Sequence, residues 1–185
     1  MYDAAREACP TLRRVLEFGA NDGGNLAYFL AHDDQVHAVG IDINAIVTRP
    51  EKTYPDRYRG IVGDESMLSR GLGSFDLAYT ISVLDHIPDR RVVAHVLGRL
   101  VDLAPHVILL EPAIAGVEGD VSGRTRDEVA PNLPRAHKRF AAHSYLWNYD
   151  ELLGRLPVAW TKEPRPLHAH SLGPFYQCFV LERGR

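Results

Sequence analysis

The sequence contains little cysteine, no long apolar run and no excess of charge of one sign. Its two cysteines, Cys9 and Cys178, stand at opposite ends of the 185 residues, without the paired spacing of a zinc site or the density of a disulfide framework. No stretch approaches the roughly 18 apolar residues that a membrane span needs, and charged residues interrupt the apolar stretches of the N-terminus. We therefore expect a cytoplasmic protein with no membrane partner.

The charge balance argues against a nucleic-acid partner. The formal net charge is -3 with the nine histidines neutral, so the chain lacks the basic excess by which proteins bind phosphate backbones. Hydrophobic residues make up 45% of the sequence, and a chain of this length can bury one substantial core. The composition therefore predicts a single domain over residues 1–185.

Short apolar runs alternate with helical patterns along the chain. The apolar runs are residues 15–18, 36–43, 59–62, 75–82 and 107–110, and the helical patterns are residues 25–32, 89–104 and 149–156. Strands that are apolar on both faces and separated by helices indicate a parallel sheet. Two final strands, 158–162 and 175–182, follow without a helix between them. The pattern predicts an α/β doubly wound, mostly parallel seven-stranded sheet with an antiparallel C-terminal hairpin.

The first predicted strand runs into a glycine-containing turn and then a helix. The turn reads Glu17-x-Gly19-x-Asn21-x-Gly23, and two carboxylates follow later strands, Asp42 after the second and Asp64 after the third. Glycines let a ligand approach the backbone, and the N–H groups at a helix start accept an anionic group. Dinucleotide binding would require glycine at positions 21 and 24, and position 21 is asparagine.

This ordered set resembles the class I S-adenosylmethionine-dependent methyltransferases of the small-molecule type, over residues 15–112. In that family the glycine turn holds the methionine moiety, the first carboxylate binds the ribose hydroxyls and the second accepts from the adenine amino group. The resemblance implies S-adenosylmethionine as cofactor, with S-adenosylhomocysteine as product. The cofactor-binding residues that it implies are Glu17, Gly19, Asn21, Gly23, Asn25, Asp42, Ile43, Asp64, Glu65 and Ser82.

A second part of the resemblance follows the fourth strand, where the chain reads Leu84-Asp85-His86-Ile87-Pro88. Residues just after strands one and four face the same crevice of such a sheet. His86 is therefore the candidate catalytic residue, either as the base that removes a proton from the acceptor or as a structural residue beside the cofactor. Asp85 is expected to be solvated or to cap a turn.

The acceptor is expected to bind on the side of residues 111–147, which we predict to be a variable lid region. The candidate substrate-binding residues are Arg139, His143, Tyr145 and Trp147. The alternative is that the cations form a basic helix face in water and the aromatic side chains pack onto the sheet. Few residues precede the first strand, so the pocket is predicted to be open, closed by residues 111–147 or completed by a second subunit of a homodimer.

The sequence thus predicts an enzyme that methylates the O or N of a small-molecule metabolite, as a monomer or homodimer. The alternative function is a cofactor-binding module of the same fold that methylates nothing. No metal is predicted, because His168 and His170 have no third ligand at a suitable spacing. The acceptor atom stays open.

Overall fold

A seven-stranded sheet organises the computed structural model, which describes residues 1–114, 116–124, 126–129, 143–163 and 176–183. The strands of this sheet are β1 (Arg14–Phe18), β2 (His37–Asp42), β3 (Tyr58–Val62), β4 (Leu77–Ile81), β5 (His106–Pro112), β8 (Ala159–Glu163) and β9 (Tyr176–Glu182). A separate pair is formed by β6 (Gly119–Asp120) and β7 (Tyr145–Leu146). The α-helices are α1 (Tyr2–Ala8), α2 (Gly24–His32), α3 (Arg90–Leu103), α4 (Arg126–Val129) and α5 (Tyr149–Leu153). Three 3₁₀ helices span Ala45–Lys52, Glu65–Ser69 and Leu84–His86.

The strand order is β3-β2-β1-β4-β5-β9-β8. All pairs from β3 to β5 are parallel, whereas β9 runs antiparallel to both β5 and β8. The predicted mostly parallel sheet with an antiparallel C-terminal hairpin is therefore confirmed. The predicted helix over 149–156 is shorter than expected and ends at Leu153, while helix α1 was not predicted.

Both faces of the sheet are covered, which explains why its strands are continuously apolar. Val15 and Leu16 are both fully buried, but they point to opposite faces and belong to different core clusters. Helices α1 and α2 pack on the face of Val15, and α3 and α5 pack on the face of Leu16. Among the described residues, no helix has the length and apolar character needed to cross a membrane.

Helix α3 shows how local signals set an element that supports the site. Asp89 caps its N-terminus, with a carboxylate oxygen 2.8 Å from the backbone N of Arg91. Its apolar stripe is wholly or almost wholly buried, and the helix ends before Pro105. The stripe consists of Val93, Val96, Leu97, Leu100, Val101 and Leu103.

The strand order reverses between β1 and β4, because β1 leads outward to β2 whereas β4 leads to β5. In open parallel sheets this point leaves a crevice beyond the carboxyl ends of the strands, where ligands bind. A ligand site is therefore expected at the turns that follow β1 and β4.

Candidate functional site

A cavity of about 590 Å³ lies at that crevice, within the size range of small-molecule sites. It is lined by the turns that follow β1, β2, β3 and β4. Eight of the residues singled out from the sequence line it: Gly19, Asn21, Asp42, Ile43, Asp64, Glu65, Ser82 and His86.

One side of the cavity, which we call the glycine wall, consists of residues 19–21, 42–44 and 63–65. Gly19 has φ +78°, and Asn21 has the left-handed φ of +48° that asparagine tolerates better than most residues. The backbone N–H of Asn21 donates to a carboxylate oxygen of Asp42 at 2.7 Å. The turn after β1 is thus fastened to the end of β2.

The two carboxylates of the glycine wall are held by short local turns. The second oxygen of Asp42 accepts from the backbone N–H of Asn44 at 2.8 Å, and Asp64 accepts from that of Ser66 at 3.0 Å. Hydrogen bonds from the Ser66 side chain and then from its backbone lower the pKa of Asp64. Asp64 therefore stays ionised, and each carboxylate keeps lone pairs for a ligand.

Three of the predicted cofactor residues do not line the cavity. Glu17 is buried under the turn, where it accepts from Asn25 at 2.8 Å and from the Tyr79 hydroxyl at 3.1 Å. Burial raises the pKa of Glu17 to about 7, although these two hydrogen bonds oppose the shift. Gly23 has φ +72°, and a Cβ there would lie 2.5 Å from the Tyr58 hydroxyl. These residues shape the turn from beneath.

The opposite side, which we call the strand-four wall, consists of residues 82–87. Ser82 has a left-handed φ of +52°, and its hydroxyl lies 2.9 Å from the hydroxyl of Tyr176 on β9. The Val83 side chain packs against Gly19, where an added Cβ would come within 2.2 Å of a Val83 methyl. The two walls therefore meet at Gly19 and Val83. A left-handed backbone like that of Ser82 is strained, and such strain concentrates at functional sites.

His86 projects into the cavity with its side chain about half exposed. Its Nδ1 lies 3.2 Å from the carbonyl oxygen of His143, and its Nε2 lies 3.8 Å from a carboxylate oxygen of Asp85. A carbonyl oxygen can only accept, so Nδ1 carries the proton and Nε2 holds the lone pair in neutral His86. This is the tautomer that a base at Nε2 requires.

The expectation that Asp85 is solvated is wrong. The residue is 5% exposed, its carboxylate accepts from the Ser82 hydroxyl at 3.3 Å, and it faces His86. Burial raises the pKa of Asp85, whereas the charge on His86 and the Ser82 hydrogen bond lower it. The 3₁₀ turn at Leu84–His86 brings the two neighbouring side chains to the same side, which an extended chain would not do.

Sequence reasoning missed Glu111, which is completely buried behind the strand-four wall. Its carboxylate accepts from the Thr80 hydroxyl at 2.7 Å and from the backbone N–H groups of Val83 and Leu84, each at 3.1 Å. Burial first, and then the charge of Asp85, raise the pKa of Glu111 to about 8. The sequence did contain a signal for Glu111, since it directly follows the apolar run 107–110. An acidic residue in a buried strand needs buried hydrogen-bond partners.

The predicted acceptor-side residues are only partly described. Arg139 lies outside the described residues, His143 contributes its carbonyl oxygen to His86, and Tyr145 is half-buried on β7. Trp147 is buried, and its indole N–H donates to the carbonyl oxygen of Leu84 at 2.8 Å. Trp147 also lines a second cavity of about 260 Å³ beside the ends of β5 and α5. Their roles toward an acceptor remain predictions.

No group of three or more histidine, cysteine or acidic side chains suited to a metal occurs in the part of the chain that the structure describes. His168 and His170 lie outside that part.

Comparison with known proteins gives a methyltransferase-domain match over part of the chain and a fold. The sequence model of a methyltransferase domain matches residues 16–104, which include the glycine wall and the strand-four wall. A search of curated proteins finds no match. Many solved structures match, and those described next share no more than 19% identity with this chain.

An O-methyltransferase family protein from Burkholderia thailandensis is 15% identical with a TM-score of 0.69, and the match covers 98% of this chain and 55% of that one. The 1,6-didemethyltoxoflavin N1-methyltransferase of the same organism, with its substrate and S-adenosylhomocysteine bound, is 19% identical with a TM-score of 0.68, at 99% and 76% coverage. An amino pentose methyltransferase from Micromonospora echinaspora with bound S-adenosylmethionine is 15% identical with a TM-score of 0.67, at 98% and 88% coverage. This chain thus spans about half the length of the first of these proteins, and at such identities the likeness concerns the fold.

Proposed function

We propose that this chain is a class I S-adenosylmethionine-dependent methyltransferase, which binds S-adenosylmethionine in the 590 Å³ cavity and transfers its methyl group to the O or N of a small molecule. The observation that carries the proposal is the convergence on one cavity of a glycine turn, two carboxylates on local turns and a histidine. The carboxylates come from different strands, and only the sheet brings them together.

The two carboxylate acceptors and the glycine of the glycine wall fit an adenosyl group. Asp42 at the end of β2 presents its carboxylate to a diol, since the two backbone N–H groups that it accepts leave it further lone pairs. Asp64 stays ionised and accepts from an amino group. Glycine 19 allows close approach of a ligand to the turn.

An exposed apolar side chain supplies the complementary surface for a planar base. Ile43 is 79% exposed even though it lines the cavity between Asp42 and Asn44. Covering a large aliphatic side chain with a ligand is favourable by about 25 cal/mol for each Å² of apolar surface removed from water. In the proposal the adenine ring packs on Ile43, and the adenine amino group faces Asp64.

When bound, S-adenosylmethionine supplies a methyl carbon that is already electrophilic, so alignment of the acceptor accounts for much of the rate. In the proposal the acceptor lies next to the strand-four wall, and the Nε2 lone pair of His86 takes a proton from an acceptor hydroxyl or ammonium. The buried Asp85, 3.8 Å from Nε2, then stabilises the imidazolium. The same position also suits a structural role for His86, and turnover decides between the two.

Calorimetry with S-adenosylhomocysteine tests the cofactor assignment. We expect binding by the wild-type protein, and a loss of roughly 1 to 3 kcal/mol in Asp42→Ala because a charge-assisted hydrogen-bond acceptor is removed. Asp120→Ala is the matched control, since Asp120 accepts a backbone N–H in the same kind of turn, from Ser122 at 2.8 Å, but does not line the cavity. If S-adenosylhomocysteine does not bind while NADH does, the proposal is wrong.

Incubation of the protein with methyl-labelled cofactor and a metabolite extract tests the transfer itself. We expect a labelled small product, and a fall in rate of about 10²-fold or more in His86→Ala if His86 is the base. Unchanged turnover with weakened cofactor binding in that variant would assign His86 to structure. Tight binding of S-adenosylhomocysteine without product from any extract would instead support the alternative, a module that does not methylate.

A further inference from the structure

The strand-four wall depends on backbone groups that its own segment cannot satisfy. The 3₁₀ helix Leu84–His86 is only three residues long, so the N–H groups at its start lack partners within the helix. The N–H groups of Val83 and Leu84 both donate to the Glu111 carboxylate at 3.1 Å. Glu111 therefore acts as a cap that comes from another strand.

The other side of the same peptide segment is held by a third element. The indole N–H of Trp147 donates to the carbonyl oxygen of Leu84 at 2.8 Å, so both backbone groups of Leu84 have distant partners. Leu84 is fully buried, and water cannot replace either hydrogen bond without opening the core.

Two residues of this segment contact different parts of the cavity. Val83 rests on Gly19 of the glycine wall, and His86 projects over the cavity about half exposed. A shift of the Val83 and Leu84 amides by an ångström would displace Val83 from the glycine turn and move His86. The acceptor oxygens of Glu111 thus fix how the two walls approach each other.

We propose that Glu111 is a positioning residue, which sets the strand-four wall against the glycine wall by accepting the Val83 and Leu84 amides and thereby places Val83 and His86. Its effect on ligand binding rests on the proposed function, whereas its effect on the wall does not. Burial raises the pKa of Glu111 to about 8, and its place in the proposal rests on its length and its acceptor oxygens.

Three substitutions separate these properties. Glu111→Gln keeps the length and a carbonyl oxygen, Glu111→Asp keeps the carboxyl but draws it back by one methylene, and Glu111→Leu removes the acceptor. Glu51→Leu is the matched control, because Glu51 also accepts a backbone N–H, that of Gly60 at 2.8 Å, and lies away from the strand-four wall.

The readouts are amide hydrogen exchange at positions 83 and 84, the indole N–H resonance of Trp147 and the affinity for S-adenosylhomocysteine by calorimetry. We expect Glu111→Leu and Glu111→Asp to speed exchange at both amides about tenfold or more, to shift the Trp147 resonance and to weaken binding about tenfold. Glu111→Gln should stay within about threefold of wild type in each readout, and Glu51→Leu should leave exchange at 83 and 84 unchanged.

Two results would overturn the proposal. One is equal exchange at positions 83 and 84 in Glu111→Leu and Glu51→Leu, which would show that Glu111 does not hold the wall. The other is damage by Glu111→Gln equal to that by Glu111→Leu, which would show that charge is the requirement. If Glu111→Leu does not fold, the contrast of Asp with Gln decides. Failure of wild type to bind S-adenosylhomocysteine would refute the proposed function alone, since exchange still tests Glu111.

Discussion

The two walls of the cavity differ in how far along the chain their supports lie. On the glycine wall, Asp42 and Asp64 are each held by a backbone N–H two residues later. On the strand-four wall, Ser82 and the Leu84 carbonyl have local partners in Asp85 and Ile87, but each also has a distant one, 94 residues away for Ser82 and 63 residues away for Leu84. The first wall is built largely by local turns, whereas the second also needs β5, β9 and the segment just after β7 to be in place.

This difference has a physical consequence for the variants of each wall. A local turn retains its hydrogen bond when distant parts of the chain loosen, whereas a contact between distant segments is lost with the packing that brings them together. Substitutions on the glycine wall should therefore change ligand affinity more than stability. Substitutions in the supports of the strand-four wall should change both.

At a fixed pH, the largest loss of stability is expected where the walls meet. Gly19→Ala adds a Cβ within 2.9 Å of three Val83 side-chain atoms and places alanine at φ +78°, so we expect it to lower the free energy of unfolding by about 3 kcal/mol. Urea denaturation measures the loss. Gly71→Ala is the control, because Gly71 has φ +65° with open space around it and should cost only about 1 kcal/mol. Equal losses in the two variants would mean that Val83 and Gly19 do not interlock.

The next effect concerns the buried carboxyls, one behind each wall. Burial raises the pKa of Glu17 to about 7 and that of Glu111 to about 8, from an ordinary 4.5. The folded protein keeps these protons while the unfolded chain releases them, so stability falls as pH rises from about 4.5 to each folded pKa. The slope is up to about 1.4 kcal/mol per pH unit for each group.

Difference curves isolate each carboxyl from the other titrating groups. Unfolding free energies of wild type and variants, measured by urea denaturation from pH 5 to 9, should diverge. Glu17→Gln should remove the slope below about pH 7, and Glu111→Gln should remove a slope that continues to about pH 8. Curves that run parallel to wild type would contradict the assignment of neutral carboxyls to the two walls.

The sequence could predict the features that depend on neighbouring residues, but not those that depend on partners far along the chain. The strands and the residues of the glycine wall follow from apolar runs and from glycine, asparagine and aspartate in short turns, which are local signals. His86 was found through a short motif, but its tautomer depends on the carbonyl of His143, 57 residues away. Glu111 was missed because its partners lie on other elements, 27 to 31 residues earlier in the chain. The residues toward the acceptor stay predictions, and Arg139 lies outside the described residues.

A smaller effect is expected when one distant support of the strand-four wall is removed. Trp147→Phe keeps an aromatic ring but leaves the buried carbonyl of Leu84 with only the Ile87 amide as donor, so we expect the loss of the indole hydrogen bond to cost about 1 kcal/mol in unfolding free energy. Trp160→Phe is the control, since Trp160 packs against Phe179 on the hairpin away from this carbonyl. Amide exchange at residues 84–86 should rise only in Trp147→Phe, and unchanged exchange would show that the wall does not depend on this contact.

The smallest effect is expected from a change that keeps a local turn intact. Asp64→Asn retains an oxygen for the Ser66 amide, so the free energy of unfolding should stay close to that of the wild type. It removes the charge that would face the cofactor, so the affinity for S-adenosylhomocysteine should fall about three- to tenfold. Asp120→Asn, in the matching turn with Ser122, should change neither quantity. A loss of stability in Asp64→Asn larger than that in Trp147→Phe would reverse the contrast, because the glycine wall would then carry the fold and the strand-four wall would not.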